Sequence, residues 1–197
     1  MQSRIEDVFI ELRAMRQRDR TRDLSSHIET ILNQAWAEED ARVLRGELVG
    51  ELHRHDRLPE AESLLLAEVE RDPAEPYHSI SLAEHFHYCA VDLTKSLEQI
   101  ALAIAKARLD GKFMYQALGI QARLAVETQN WPLLESTLID LATYEHTPGN
   151  VDVFPETDFL PRIPTGVVSA QSVSAYASRV EYLRSINYST FYGARQQ

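Results

Sequence analysis

An all-α protein built from stacked helical hairpins is the fold class this sequence predicts, and three observations predict it. Leu48-Val49-x-x-Leu52, Leu82-Ala83-x-x-Phe86 and Leu118-Gly119-x-x-Ala122 repeat one short pattern, with leading leucines 34 and then 36 residues apart. A period in that range, built from paired helices, marks a solenoid in which each pair shields its apolar side against the next. Each recurrence is followed by a polar break and a second apolar pattern at helical spacing. Finally, 7 glycines in 197 residues favour long helices over a many-turned β architecture.

The elements follow in order. Ile5, Val8, Phe9, Leu12 and Met15 predict a first helix, and the charged run Arg16 to Asp23 predicts its end and a turn. Of the four arginines there, Arg16, Arg18, Arg20 and Arg22, a solvated connection is the simpler reading and a basic patch the alternative. Leu24 to Trp36 predicts a second helix, started by Asp23, Ser25 or Ser26. Residues 1–40 are therefore expected to form a capping or degenerate pair, and residues 41–146 three regular pairs.

In the first regular pair Val43, Leu44, Leu48 and Leu52 precede the turn Asp56 to Pro59, then Ala61, Leu64, Leu65 and Val69 continue until Pro73 stops the helix. Pro76 opens the second pair, Val91-Asp92 turns it, and Asp110-Gly111 ends it. The third pair covers Phe113 to Thr128 and, beyond Gln129-Asn130-Trp131-Pro132, Leu133 to Leu141. Residues 147–168 are too rich in proline to be helical, yet carry Val151, Val153, Phe154, Phe159, Leu160 and Ile163. An extended segment packed on the array is expected. Residues 169–197 predict a last helix, Ser169 to Ile186, with a loose end from Asn187.

Ala61-x-x-x-Leu65 with Pro73 eight residues on resembles the second half of a tetratricopeptide repeat. Tyr115-x-x-Leu118-Gly119-x-x-Ala122 is similar to the first half, with Tyr115 where tryptophan is usual and Ala122 where tyrosine is usual. Leu82-Ala83-x-x-Phe86 and Ser96-x-x-x-Ile100 supply the unit between them. The resemblance covers residues 41 to 144; the middle unit lacks the closing proline, and Leu134 stands where a small residue is preferred. Small residues at Ala61, Ala83 and Gly119 are expected to let neighbouring helices approach closely. The resemblance implies a curved array whose first helices line a ligand-binding groove.

The formal charge of −10 argues against general nucleic-acid binding, which needs a basic footprint. It suits a basic protein partner. From Glu38 to Glu75 twelve acidic residues face five basic ones, which a solvated outer face explains as well as an acidic docking surface does. Cys89 is the only cysteine, so no internal disulfide forms. No apolar run reaches about 18 residues, and the polar opening Gln2-Ser3-Arg4 lacks the apolar core of a signal peptide, so a cytoplasmic location is expected.

Candidate chemistry is sparse. His78, His85, His87 and Cys89 cluster in sequence, and His85 and Cys89 share a helix face, but zinc needs three or four ligands and no second convergent set is evident. The simpler expectation is that Cys89 packs as a small apolar side chain with His85 on the helix flank. Glu38-Glu39, Glu68/Glu70 and Asp152/Glu156/Asp158 are ordinary for exposed helix faces and turns. Phosphate loops and nucleophile elbows are absent from the sequence. Neither an enzyme nor a resident cofactor or metal is expected.

A stripe beside the helix seam carries the stronger signal. Glu47 and Arg54, then Tyr77, Ser81, Glu84 and Tyr88, then Phe113 and Gln116 with Ile120 and Arg123 lie at helical spacing on the first helix of each pair. Tyrosine, phenylalanine and arginine on a rigid surface are residue types that anchor interfaces. These side chains are expected either to hold a partner protein or to pack against the chain's own C-terminal segment. The expected function is non-catalytic protein binding, with neutralisation of a basic toxin as an immunity protein preferred over a secretion chaperone or adaptor. A metal-dependent or small-ligand enzyme using the His/Cys cluster and Asp158 is the alternative of another class, and a homodimer is compatible with all of these.

Overall fold

The computed structural model describes residues 4–145 and 157–192, and every regular element among them is helical. Two compact units divide inside one helix, the first ending at Glu68 and the second beginning at Val69. Among the described residues no helix is long and apolar enough to cross a membrane.

The first unit contains α1 (Arg4–Arg18), α2 (Ser25–Leu32), α3 (Glu38–Arg54) and most of α4 (Leu58–Arg71). Acidic first turns in α1 and α3 and basic last turns in α1 and α4 follow the direction of the helix dipole. Leu12, Leu24, Ile28, Leu48, Leu52 and Ala61 form one core, so each of the four helices contributes its apolar stripe. The predicted second helix is shorter than expected. It stops at Leu32, and the Trp36 indole N–H turns back to donate to the Ile31 carbonyl at 2.7 Å, which also accepts from Gln34 N–H at 3.0 Å.

The second unit contains α5 (Pro76–Glu84), a π-helical turn (His85–Cys89), α6 (Leu93–Asp110), α7 (Met114–Glu127), α8 (Trp131–Thr143), a 3-10 turn (Leu160–Arg162) and α9 (Ala170–Tyr192). From α5 to α9 each α-helix packs against the next in sequence. Ile80, Ile100, Ile104, Leu118, Leu124, Leu134 and Leu138 fill the core, with Ala83, Ala103, Ala107 and Ala122 where two helices meet. Helix starts are capped by side chains: Glu75 accepts from Tyr77 N–H at 3.0 Å, Asp92 from Lys95 N–H at 3.1 Å and Asn130 from Leu133 N–H at 3.2 Å. Gly111, with φ of 76°, ends α6 in the left-handed conformation that glycine adopts without a Cβ clash.

One turn recurs in both units. After α3, Asp56 takes φ of 56° and Arg57 N–H reaches back five residues to the Leu52 carbonyl; after α7, Gln129 takes φ of 54° and Asn130 N–H reaches the Ala125 carbonyl. After the π-turn Val91 takes φ of 53°, but Asp92 N–H reaches back six residues, to Phe86. The π-turn thus absorbs one extra residue ahead of an otherwise equivalent cap. A β-branched residue is strained in this conformation, and Val91 is exposed, so its side chain gains little by packing. Val91→Gly is expected to raise stability by about 1 kcal/mol, read as a higher urea midpoint at unchanged slope.

Two expectations are corrected. Gly119 is buried, but a Cβ there would meet nothing within 4 Å, so close helix approach does not account for it. Ala61 and Ala83 are fully buried. The last helix does not stop near Ile186 but continues to Tyr192, beyond the point where a loose end was expected. Of the proline-containing segment, residues 157–168 are described, and there Phe159 is fully buried in the second unit's core. Val151, Val153 and Phe154 lie outside the described residues, as do Asp152 and Glu156.

Candidate functional site

Glu47 and Arg54 belong to the first unit, where both join an internal ion network centred on Glu51. The Glu51 side chain is 1% exposed, and it accepts from Leu24 N–H at 3.0 Å, from Arg16 at 2.9 Å and from Arg54, with His55 Nε2 at 3.3 Å. Arg16 also reaches Glu47 at 3.0 Å. Burial pushes the Glu51 carboxyl up, but the bonds from Leu24, Arg54 and Arg16 outweigh it and hold the group below its ordinary range. Asp23, Glu51 and His55 bring potential metal-ligand atoms within 4.8 Å of one another. Their oxygens are nevertheless turned to arginine: Asp23 accepts from Ser25 N–H at 2.8 Å and Arg57 at 3.0 Å. Three guanidinium groups around two carboxylates disfavour a further cation, and the arrangement acts as a clamp between α1, the start of α2 and α3.

The remaining stripe residues all lie in the second unit, and the structure brings side chains of α5 and its π-turn together with Phe113 and α7 at two points. At one end the rings of Tyr77 and Phe113 stand 5.5 Å apart. At the other, the Arg123 guanidinium lies 5.8 Å from the centre of the Tyr88 ring. Tyr77 is 43% exposed and Tyr88 is 55% exposed. Ser81, Glu84, Gln116 and Arg123 are half-buried, whereas Ile120, placed on the same stripe by spacing, is buried in the core.

The π-turn shapes the Tyr88 end. His85, Phe86 and His87 are all buried, three consecutive residues that an ordinary α-helical turn would spread over most of its circumference. His85 is therefore in the interior and not on the helix flank. His87 Nε2 meets Glu127 Oε2 of α7 at 2.5 Å, and its ring lies 4.1 Å from that of Tyr88. Glu127 extends its other oxygen towards Arg162 of the 3-10 turn at 3.5 Å. The His87–Glu127 pair is not visible in the sequence, because its members are 40 residues apart. Cys89 is half-buried, and burial pushes its thiol up, away from nucleophilic reactivity.

Glu84 is the unusual group. It is half-buried, with Arg123 and His87 as its charged neighbours. Desolvation raises its carboxyl above the ordinary range, and the charges of Arg123 and His87 only partly offset this. Elsewhere in the unit carboxylates are well served: Glu135 accepts from Ser169 N–H and Oγ, each at 2.8 Å, and from Ser172 Oγ at 2.5 Å, so it is held below its usual range at the start of α9.

Comparison with models of known families, with curated proteins and with solved structures finds no match. The face must therefore be interpreted from its own chemistry.

Proposed function

We propose that the chain is a non-catalytic binding protein that holds a segment of another protein along the α5/α7 face of its second unit. In this reading α5 to α8 are two hairpins of the tetratricopeptide kind, and the stripe Tyr77, Ser81, Glu84, Tyr88, Phe113, Gln116 and Arg123 is the contact surface. The observation that carries it is the pair of tyrosines held in solvent on a helix whose other side is core. Large aromatic groups on a rigid backbone lose little conformational freedom on binding, which is why they anchor interfaces. The formal charge of −10 favours a basic partner, and neutralising a basic toxin is the role within this class that the charge fits best.

Affinity capture with the full chain as bait tests this reading. A specific partner should be recovered by the wild-type chain, and its affinity should fall at least about ten-fold for the Tyr77→Ala/Tyr88→Ala double variant. Equal affinity for both baits, with the variant shown to be folded by circular dichroism, would move the interface off this face.

A further inference from the structure

Helix α6 packs on α5 and α7 and buries Ser96, Ile100, Ala103, Ile104 and Ala107. Its other side is exposed and carries Glu98, Leu102, Ala105 and Leu109 at spacings of four, three and four residues, with Ala101 and Arg108 beside them. That alternation of four and three is the seam of a two-helix coiled coil. Leu102 is 50% exposed and Leu109 is 92% exposed. One leucine in solvent is ordinary. Two on one stripe, separated by alanines small enough for a second backbone to come close, form a narrow apolar strip.

Charge order decides which occupant suits the strip. Glu98 lies towards the start of α6 and Arg108 towards its end. A parallel second copy would set Glu98 against Glu98 and Arg108 against Arg108. An antiparallel copy sets Glu98 beside Arg108, and it does so twice, because a two-fold contact repeats every pair. In the same register Leu102 of each copy meets Ala105 of the other, and Glu98 stands level with Leu109. Arg108 also bonds Asp140 of α8 at 3.0 Å, but a guanidinium has five N–H donors and can serve both carboxylates.

We propose that two copies of this chain pair antiparallel through α6, with Leu102, Ala105 and Leu109 as the apolar seam and Glu98–Arg108 as the flanking ion pairs. The helix has 18 residues, so the contact is at most about 27 Å long. That places it at the small end of specific interfaces, and the pairing is reversible, with a dissociation constant on the order of tens of micromolar.

Sedimentation equilibrium of the full chain from about 1 to about 300 μM tests this. The wild-type chain should pass from monomer to dimer across that range. Leu109→Glu, at a position almost wholly in solvent, should leave the fold intact and weaken pairing at least about ten-fold. Glu98→Arg and Arg108→Glu should each be monomeric alone, because each sets like charges together. An equimolar mixture of those two variants should form a heterodimer of wild-type affinity, a rescue that damage to either fold would not produce. Circular dichroism checks that each variant is folded. A wild-type chain that stays monomeric throughout would overturn the proposal and leave the strip to a helix of a different protein. A dimer that Leu109→Glu does not weaken would place the interface on another face, and a mixture that stays monomeric would overturn the antiparallel pairing.

Discussion

Replacing Glu51 by alanine is expected to lower the stability of the first unit by about 3–5 kcal/mol, the cost of removing one partner from a buried ion network. One carboxylate there serves four groups: the Leu24 N–H, Arg16, Arg54 and His55. Its loss would leave the Leu24 amide without its acceptor and Arg16 with Glu47 alone. Glu47→Ala removes a half-exposed carboxylate whose bond among the described residues is to Arg16, so it should cost about 1 kcal/mol or less. The chain has two tryptophans, Trp36 in the first unit and Trp131 in the second. Urea unfolding followed at Trp36 in a Trp131→Phe background therefore reads the first unit directly. Similar losses for Glu51→Ala and Glu47→Ala would show that Glu51 is not the hub. The same network sets an acid limit. Because the folded Glu51 carboxyl lies below its unfolded value, its contribution is complete above the ordinary carboxylate range and is lost as pH falls through the folded pKa.

Phe159→Ala is expected to cost the second unit about 3–5 kcal/mol, the usual loss for emptying a phenylalanine site in a packed core. Phe159 is fully buried and stacks on Tyr176 of α9 with ring centres 6.0 Å apart. Leu160, Ile163, Val168 and Val173 pack around the same core. The segment around Phe159 has Pro161 and Pro164 and makes only a 3-10 turn, so side-chain burial must hold it in place. Unfolding followed at Trp131 in a Trp36→Phe background should show the full loss in one transition. A loss below about 1 kcal/mol, with α9 alone released, would mean that the segment and α9 rest on a finished domain and do not complete it.

Helix positions were legible in the sequence where backbone chemistry is local. Pro59 and Pro76 mark first turns and Gly111 ends α6, each because a single residue satisfies or removes one backbone group, whereas Trp131 and Pro132, read as part of a break, open α8. Tyr77 and Tyr88, which the sequence offered either to a partner or to the chain's own C-terminal segment, are both exposed. His85 and His87 were not legible. One extra residue accommodated as a π-turn rotates the side chains that follow it, and no period of 3.6 anticipates that. Ile120 failed for a related reason: spacing assigns a face, but whether a neighbour covers that face is decided by other parts of the chain.

By itself, then, the sequence determined that the chain is helical and where most helices begin and end. These follow from short-range hydrogen bonding and from the alternation of apolar and polar side chains along each helix. Only the tertiary structure decided that Glu47 and Arg54 serve a buried clamp around Glu51, that Phe159 is core, and that His87 meets Glu127 across two helices. Those outcomes depend on which groups meet across tens of residues, and on whether water can still reach a charge once they have met.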